Sequence, residues 1–172
     1  MTGSALNQAP SLLERKVVEV LLRGGQSLKG MIHVREGQPL LRFLGLRKHF
    51  LNLTDVRPAY ATDNEAALEH LSVRISNVVW VIPLDETLHM SGASSPLNSE
   101  RDVELRLVDA VTLNVSLNIA REQRMTDYMD SNDDFIPLWN ARVASSVAEV
   151  IERLAVNHTA ILAIREMFGD ED

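Results

Sequence analysis

Along residues 112 to 119 apolar and polar side chains alternate without a break, with Leu113, Val115, Leu117 and Ile119 on one face and Thr112, Asn114, Ser116 and Asn118 on the other. A period of two marks a half-buried strand. The same alternation runs through residues 28 to 35, where Leu28, Gly30, Ile32 and Val34 point inward while Lys29, Met31, His33 and Arg35 point away. A shorter strand precedes each, at 17 to 23 and 102 to 108, with Val18, Val20 and Leu22, or Val103, Leu105 and Leu107, facing inward. Gly24-Gly25 joins the first pair and is a hairpin signal. The period then lengthens: Leu40, Phe43 and Leu44, and later Met125, Tyr128 and Met129, keep the i, i+3, i+4 spacing of a short helix that plugs one end of a sheet. Strands resume at 50 to 56 and 135 to 141, where Pro137 lacks a backbone donor and marks an edge or a bulge. The stretches 68 to 82 and 151 to 165 read as a final hairpin in each half, turning near Ser76-Asn77 and His158-Thr159. Thr62-x-x-Glu65 and Ser146-x-x-Glu149 have capping-box form, so 62 to 71 and 145 to 153 stay open between helix and strand, with strand preferred.

These parallels are one repeat. Moving residues 18 to 57 forward by 85 positions sets Val18-Glu19 on Val103-Glu104, Leu22 on Leu107, Leu28 on Leu113, Gln38 on Gln123, Phe50 on Phe135, Leu53 on Leu138 and Arg57 on Arg142. Further pairs exchange one apolar residue for another, among them Val20/Leu105, Ile32/Leu117, Val34/Ile119 and Leu40/Met125. Beyond them the offset becomes 83 and pairs Glu69 with Glu152, Leu71 with Leu154 and Val73 with Val156. A duplicated unit of roughly 70 residues is the economical explanation. The expected fold is mainly β, with α a minor part: two tandem five-stranded bent sheets or barrels of the SH3-like or Sm-like size class, each with a short helix between its second and third strands. The expected boundaries are a tail at 1–15, one repeat at 16–86, a linker at 87–100 that contains Ser91-Gly92-Ala93-Ser94-Ser95-Pro96, a second repeat at 101–168 and an acidic tail at 169–172. Units this small bury little apolar surface alone, which favours packing of one on the other.

Charge separates the halves. Residues 1 to 86 hold 10 Lys and Arg against 9 Asp and Glu, and residues 87 to 172 hold 7 against 15, so the net −7 of the 172 residues lies in the second half. Nucleic-acid affinity rests on cations that neutralise phosphates, so a broad phosphate-binding surface is disfavoured and a local basic patch on the first half is not. The chain has no cysteine, which removes disulfide and thiolate chemistry. It has no apolar run long enough to span a bilayer and no signal-peptide order at its start, so a soluble cytoplasmic protein is expected.

Candidate chemistry is thin. Asp130-Ser131-Asn132-Asp133-Asp134 opens like a calcium loop, but Phe135 stands where the turn needs glycine and Ala141 where a bidentate glutamate closes the shell. The histidines at 33, 49, 70, 89 and 158 share no metal-ligand spacing. Gly24-Gly25 is too short to cradle phosphate, and no G-x-S-x-G elbow presents a nucleophile. No catalytic residue, cofactor or metal is assigned, and a non-enzymatic role is expected.

The informative contrast is between equivalent loops. Arg42, Arg47, Lys48 and His49 in the first unit correspond to Asp127, Asn132, Asp133 and Asp134 in the second, which also carries Asp130. Opposite charge on equivalent scaffolds favours docking of unit one on unit two, within one chain or between chains, and a head-to-tail contact of that kind builds rings or filaments. Trp139 has no counterpart in unit one and lies on the polar side of its strand, either as an exposed interface anchor or as a cover for the seam between units.

The run Arg124-Met125-Thr126-Asp127-Tyr128-Met129-Asp130, followed by Phe135-Ile136-Pro137-Leu138 and later by Val156-Asn157-His158, resembles a motif of a family of uncharacterised bacterial proteins. The resemblance covers about 65 residues of unit two; unit one departs from it, with Arg42 in place of Asp127 and Gly45 in place of Asp130. It implies a small β-rich domain and brings no activity with it. The expected role is therefore an interaction or assembly module whose partner is itself or another protein. The alternatives are an Sm-like nucleic-acid binder using Lys29, Arg42, Arg47, Lys48 and His49, and a small-ligand sensor with a pocket between the units.

Overall fold

The computed structural model describes residues 12–62, 64–90, 98–131, 134–145 and 149–167. The fold is mainly β. Its strands are β1 Leu13–Leu22, β2 Ser27–Arg35, β3 Phe50–Pro58, β4 Leu68–Arg74, β5 Val78–Pro83, β6 Asn98–Leu107, β7 Thr112–Ala120, β8 Phe135–Val143, β9 Val150–Asn157 and β10 Ile161–Glu166. Helix α1 Leu40–Gly45 follows β2, and α2 Met125–Ser131 follows β7. Single 3-10 turns link β4 to β5 (Ile75–Asn77), β6 to β7 (Val108–Ala110) and β9 to β10 (His158–Ala160). Of the segments left open, 68 to 71 and 150 to 153 are strand, while 62, 64 to 67, 145 and 149 are neither helix nor strand; residues 63 and 146 to 148 lie outside the described residues. β1 and β6 each begin three residues ahead of the expected repeat boundaries, at Leu13 and Asn98, and Ser91 to Pro96 lie outside the described residues.

All ten strands form one antiparallel sheet in the order β10-β6-β7-β8-β9-β5-β1-β2-β3-β4. The 85-residue spacing recurs in its backbone. Leu22 N–H donates to Gln26 O as Leu107 N–H does to Val111 O, Ala59 to Ser27 as Ala144 to Thr112, and Gln38 to Arg35 as Gln123 to Ala120. With the donor at the 83-residue offset and the acceptor at the 85-residue one, Ile75 N–H donates to His49 O as His158 N–H does to Asp134 O. Positive φ angles recur as well, at Asp55 (51°) and Asn140 (52°), and at Gly24-Gly25 and Asp109-Ala110. Glycine meets that left-handed demand of the first hairpin without strain.

The expected final hairpins do not form as hairpins. β4 pairs with β3, and β5 pairs with β1, so the two strands joined by Ile75–Asn77 stand at opposite ends of the order β5-β1-β2-β3-β4. Four interstrand spacings would part them by about 19 Å in a flat sheet. The connecting 3-10 turn, rising about 2 Å per residue, spans less than half of that. The sheet must therefore curl until its ends approach, and β5 then turns its free edge away from β4 to pair with β9, Trp80 opposite Val156 and Val81 opposite Ala155.

Two clusters of apolar residues lie inside. The first holds Val18, Val20, Ile32, Leu40, Phe43, Leu44, Leu51 and Leu53, and the second Val103, Leu105, Leu113, Leu117, Ile119, Met125, Met129 and Leu138. Val18, Val20, Ile32, Val103, Leu105, Leu113, Leu117 and Ile119 are inward positions read from the alternation, and Leu40, Phe43, Leu44, Met125 and Met129 follow the helical spacing. Pro137 is explained by local geometry: β8 pairs with β7 only through Val143 and Arg142, so at Pro137 it is bonded on one side alone, to Ala155 of β9.

Candidate interaction surface

Among the described residues, the two halves of the sheet pair at the junction of β5 with β9, and its side chains are buried. Val78 and Val81 of β5 enter the first core while Val79 and Trp80 enter the second, so both faces of this strand are buried. Phe135 and Ala155 cross in the other direction, packing from β8 and β9 into the first core. Continuous apolar sequence, Val78-Val79-Trp80-Val81-Ile82, is what a strand covered on both faces requires. Trp80, not Trp139, fills the seam; Trp139 lies opposite Arg153 on β8 and is 41% exposed.

Polar latches close both ends of the junction. Asn157, the buried polar residue at the end of β9, donates its amide to the carbonyls of Ile75 (3.0 Å) and Val78 (2.9 Å). Its Oδ1 accepts from Thr159 N–H and Thr159 Oγ1, so one side chain holds the turns Ile75–Asn77 and His158–Ala160 together. Arg23 donates to Ser76 O and Thr159 O, and Gly24 N–H donates to Asp109 Oδ2 at 2.8 Å, joining the two hairpin tips. On the other side Arg153 of β9 donates to the carbonyls of Leu88 and Asp85, fixing the strap 84–90 that follows β5. The strap in turn accepts the first N–H groups of α1, Leu40 to His89 O and Leu41 to Met90 O. The Asp85 carboxyl sits below its ordinary pKa because Thr87 donates to it from hydroxyl and backbone, with Lys16 and Arg153 adding positive charge. The Glu104 carboxyl is lowered by its bond from Arg106, and Arg165 reaches it from β10.

The charged loops divide. Lys48 and His49 line a cleft of about 220 Å³ together with Arg74 of β4 and Asp134, so one acidic residue of the second loop does meet the basic loop across the junction. Arg42, Lys48, His49, Asp127, Asp130 and Asp134 are all exposed; Asp133 lies outside the described residues. Arg47 is half-buried with its guanidinium over the Phe43 ring, 4.5 Å from the centroid. Lys29 lies apart, in a cleft with Met31, Asp55 and Arg57 on the outer face of β2 and β3. Among the described residues no ion pair links the two loops. A further cleft of about 260 Å³ lies between the halves, bounded by Trp80, Tyr60, Val111, Val143 and Ile151. The Trp80 indole N–H beside it is buried without an acceptor.

Sequence reasoning named Asn157 only within the Val156-Asn157-His158 run and gave it no role, and it missed Arg153 and Arg23. A signal existed for the first: Asn157 corresponds to Arg74 at the 83-residue offset, a change of polar type inside an otherwise preserved strand. Among the described residues no group of three or more His, Asp or Glu converges to hold a metal, and no helix is long and apolar enough to cross a membrane. No family model, curated protein or solved structure matches the chain.

Proposed function

We propose that the chain is a non-enzymatic interaction and assembly module made from two copies of one small five-stranded unit of the SH3-like or Sm-like class. The observation that carries this reading is the β5–β9 seam, in which one unit accepts a strand of the other along a bare sheet edge and buries it on both faces. Strand addition supplies main-chain hydrogen bonds for affinity and side-chain pockets for specificity. The exposed basic residues Arg42, Lys48 and His49 and the exposed Asp127 and Asp130 give the equivalent loops of the two halves opposite charge, which steers partners and fixes orientation. The run that resembles a motif of uncharacterised bacterial proteins is compatible with this picture, since Met125, Met129, Phe135, Ile136 and Leu138 are packing positions of helix and strand. Size-exclusion chromatography with light scattering at low and high salt tests the proposal: the expected result is a species heavier than one chain whose share falls as salt rises. A monomer at every concentration and salt overturns it.

A second reading has one observation in its favour. Lys48, His49 and Arg74 share a cleft, and Arg74 lies over the exposed Phe50 ring, 4.9 Å from its centroid, a cation and an aromatic side by side where a base could stack in its place. Asp134 in the same cleft opposes phosphate. Fluorescence anisotropy with labelled RNA and single-stranded DNA at low salt decides it, and absence of binding removes this reading.

A further inference from the structure

Among the described residues the sheet ends in two open edges, β4 at one end and β10 at the other. By the 83-residue offset β4 is the counterpart of β9, and β10 the counterpart of β5, so the open edges are the two halves of the seam already built inside the chain. We infer that β10 of one molecule adds to β4 of a second copy in the register of β5 on β9, joining chains head to tail; this rests on the assembly reading above and names the partner.

Two apolar positions support it, because residues that pack across the internal seam have counterparts left exposed. Phe135 of β8 packs into the first core and is 2% exposed, while Phe50 is 43%; Val79 of β5 packs into the second core and is 1% exposed, while Leu162 is 68%. Isolated exposed apolar residues are ordinary, but these two are the seam-crossing positions of the repeat. Shifting the pairs Trp80/Val156 and Val81/Ala155 by 83 residues sets Ala163 opposite Val73 and Ile164 opposite Ser72. The same register sets Leu162 opposite Arg74 and places Arg165, which pairs with Glu104 of its own chain, diagonal to Glu69, so this charged meeting is attractive. Arg74 also stands where Asn157 donates to the carbonyls of the neighbouring turn; within one chain its guanidinium lies over the Phe50 ring, 4.9 Å from the centroid, and in the edge pairing it would turn to donate to the carbonyls of His158 and Ile161.

Two latches have no equivalent. Arg23 corresponds to Val108, and the acceptor Asp109 corresponds to Gly24, which has no side chain to receive a bond. The seam between chains is therefore weaker than the seam within one and depends on concentration. A head-to-tail contact closes into a ring when its rotation divides a full turn and otherwise runs as a filament.

Position-specific cross-linking tests the register, helped by the absence of native cysteine. Residues directly opposite in an antiparallel pair lie about 4.5 to 5.5 Å apart at Cα, within reach of a disulfide. Leu162→Cys mixed with Arg74→Cys is expected to give a two-chain product on mild oxidation, and Leu162→Cys mixed with Tyr60→Cys, off both edges, is expected to give at least tenfold less. In light scattering, Leu162→Lys places an ammonium against Arg74 and shifts the chain to monomer, while Leu162→Lys with Arg74→Glu restores the larger species. Equal cross-linking in the two mixtures, or assembly indifferent to Leu162→Lys in a variant whose far-ultraviolet circular dichroism is native, overturns the edge pairing and leaves the assembly reading standing. A wild-type chain that stays monomeric at all concentrations overturns both.

Discussion

Asn157 shows how one residue ties two halves of a sheet. Its amide and carbonyl are fully engaged, with the turn of the first half on one side and the turn of the second on the other. Asn157→Ala removes the donor from two interior carbonyls and is expected to cost about 1 to 3 kcal/mol in urea unfolding. Asn157→Asp keeps the shape but aims a carboxylate at those carbonyls, so it should be the less stable of the two; a variant as stable as wild type would contradict the latch. Gly30 carries a different constraint. A Cβ there would lie 3.3 Å from Thr54 O and Val56 Cγ2, while its counterpart Val115 is accommodated because β8 has already left β7 at that level, their pairing ending at Asn114 and Arg142. β3 stays paired with β2 as far as Met31 and Thr54, so Gly30→Val is expected to destabilise by about 1 to 3 kcal/mol, read as a lower urea midpoint. Val115→Gly should do little to the β7–β8 pairing, since that pairing does not pass it.

At the level of elements, inward and outward positions were legible because alternation and the i, i+3, i+4 pattern are local properties. Leu28, Ile32 and Val34, like Leu113, Leu117 and Ile119, are buried as their spacing required. Strand partners were not legible in the same way. The three residues between β4 and β5 look like a hairpin turn, yet the strands they join pair with β3 and β1, a choice set by the curl of the whole sheet rather than by the turn. The β5–β9 seam left only a trace in sequence, the unbroken apolar run of β5, since its partner lies more than 70 residues away. The strap 84–90 was equally hidden, and it gives the fold a pH dependence. The Asp85 carboxyl has a folded pKa below its unfolded value near 3.8, so its contribution is fully present above that value and is withdrawn as pH falls through the lower folded one. Asp85→Asn is expected to flatten the loss of stability below pH 4 and to leave neutral stability reduced, as measured by urea midpoints from pH 3 to 7. Glu104, lowered in the same direction, keeps part of the acid sensitivity in that variant.

Across the whole molecule, the strand β5 decides whether two small cores behave as two domains or one. Val78 and Val81 belong to the first core, and Val79 and Trp80 to the second, so removing β5 opens both at once. Cores of this size are marginal when separated, because a small unit buries a low fraction of its surface. The halves are thus expected to unfold together despite the repeat and the opposite charge of their loops. Tryptophan provides the probe: Trp80 reports the seam, and Trp139 is exposed on β8, so Trp139→Phe leaves the seam indole as the sole tryptophan signal. In that variant, at a concentration low enough to keep chains apart, urea curves from Trp80 fluorescence and from far-ultraviolet circular dichroism should superimpose with a single slope. Fluorescence that changes before the dichroism would mean that the seam opens while the two cores survive, and the second unit would then be a separable domain rather than the other half of one sheet.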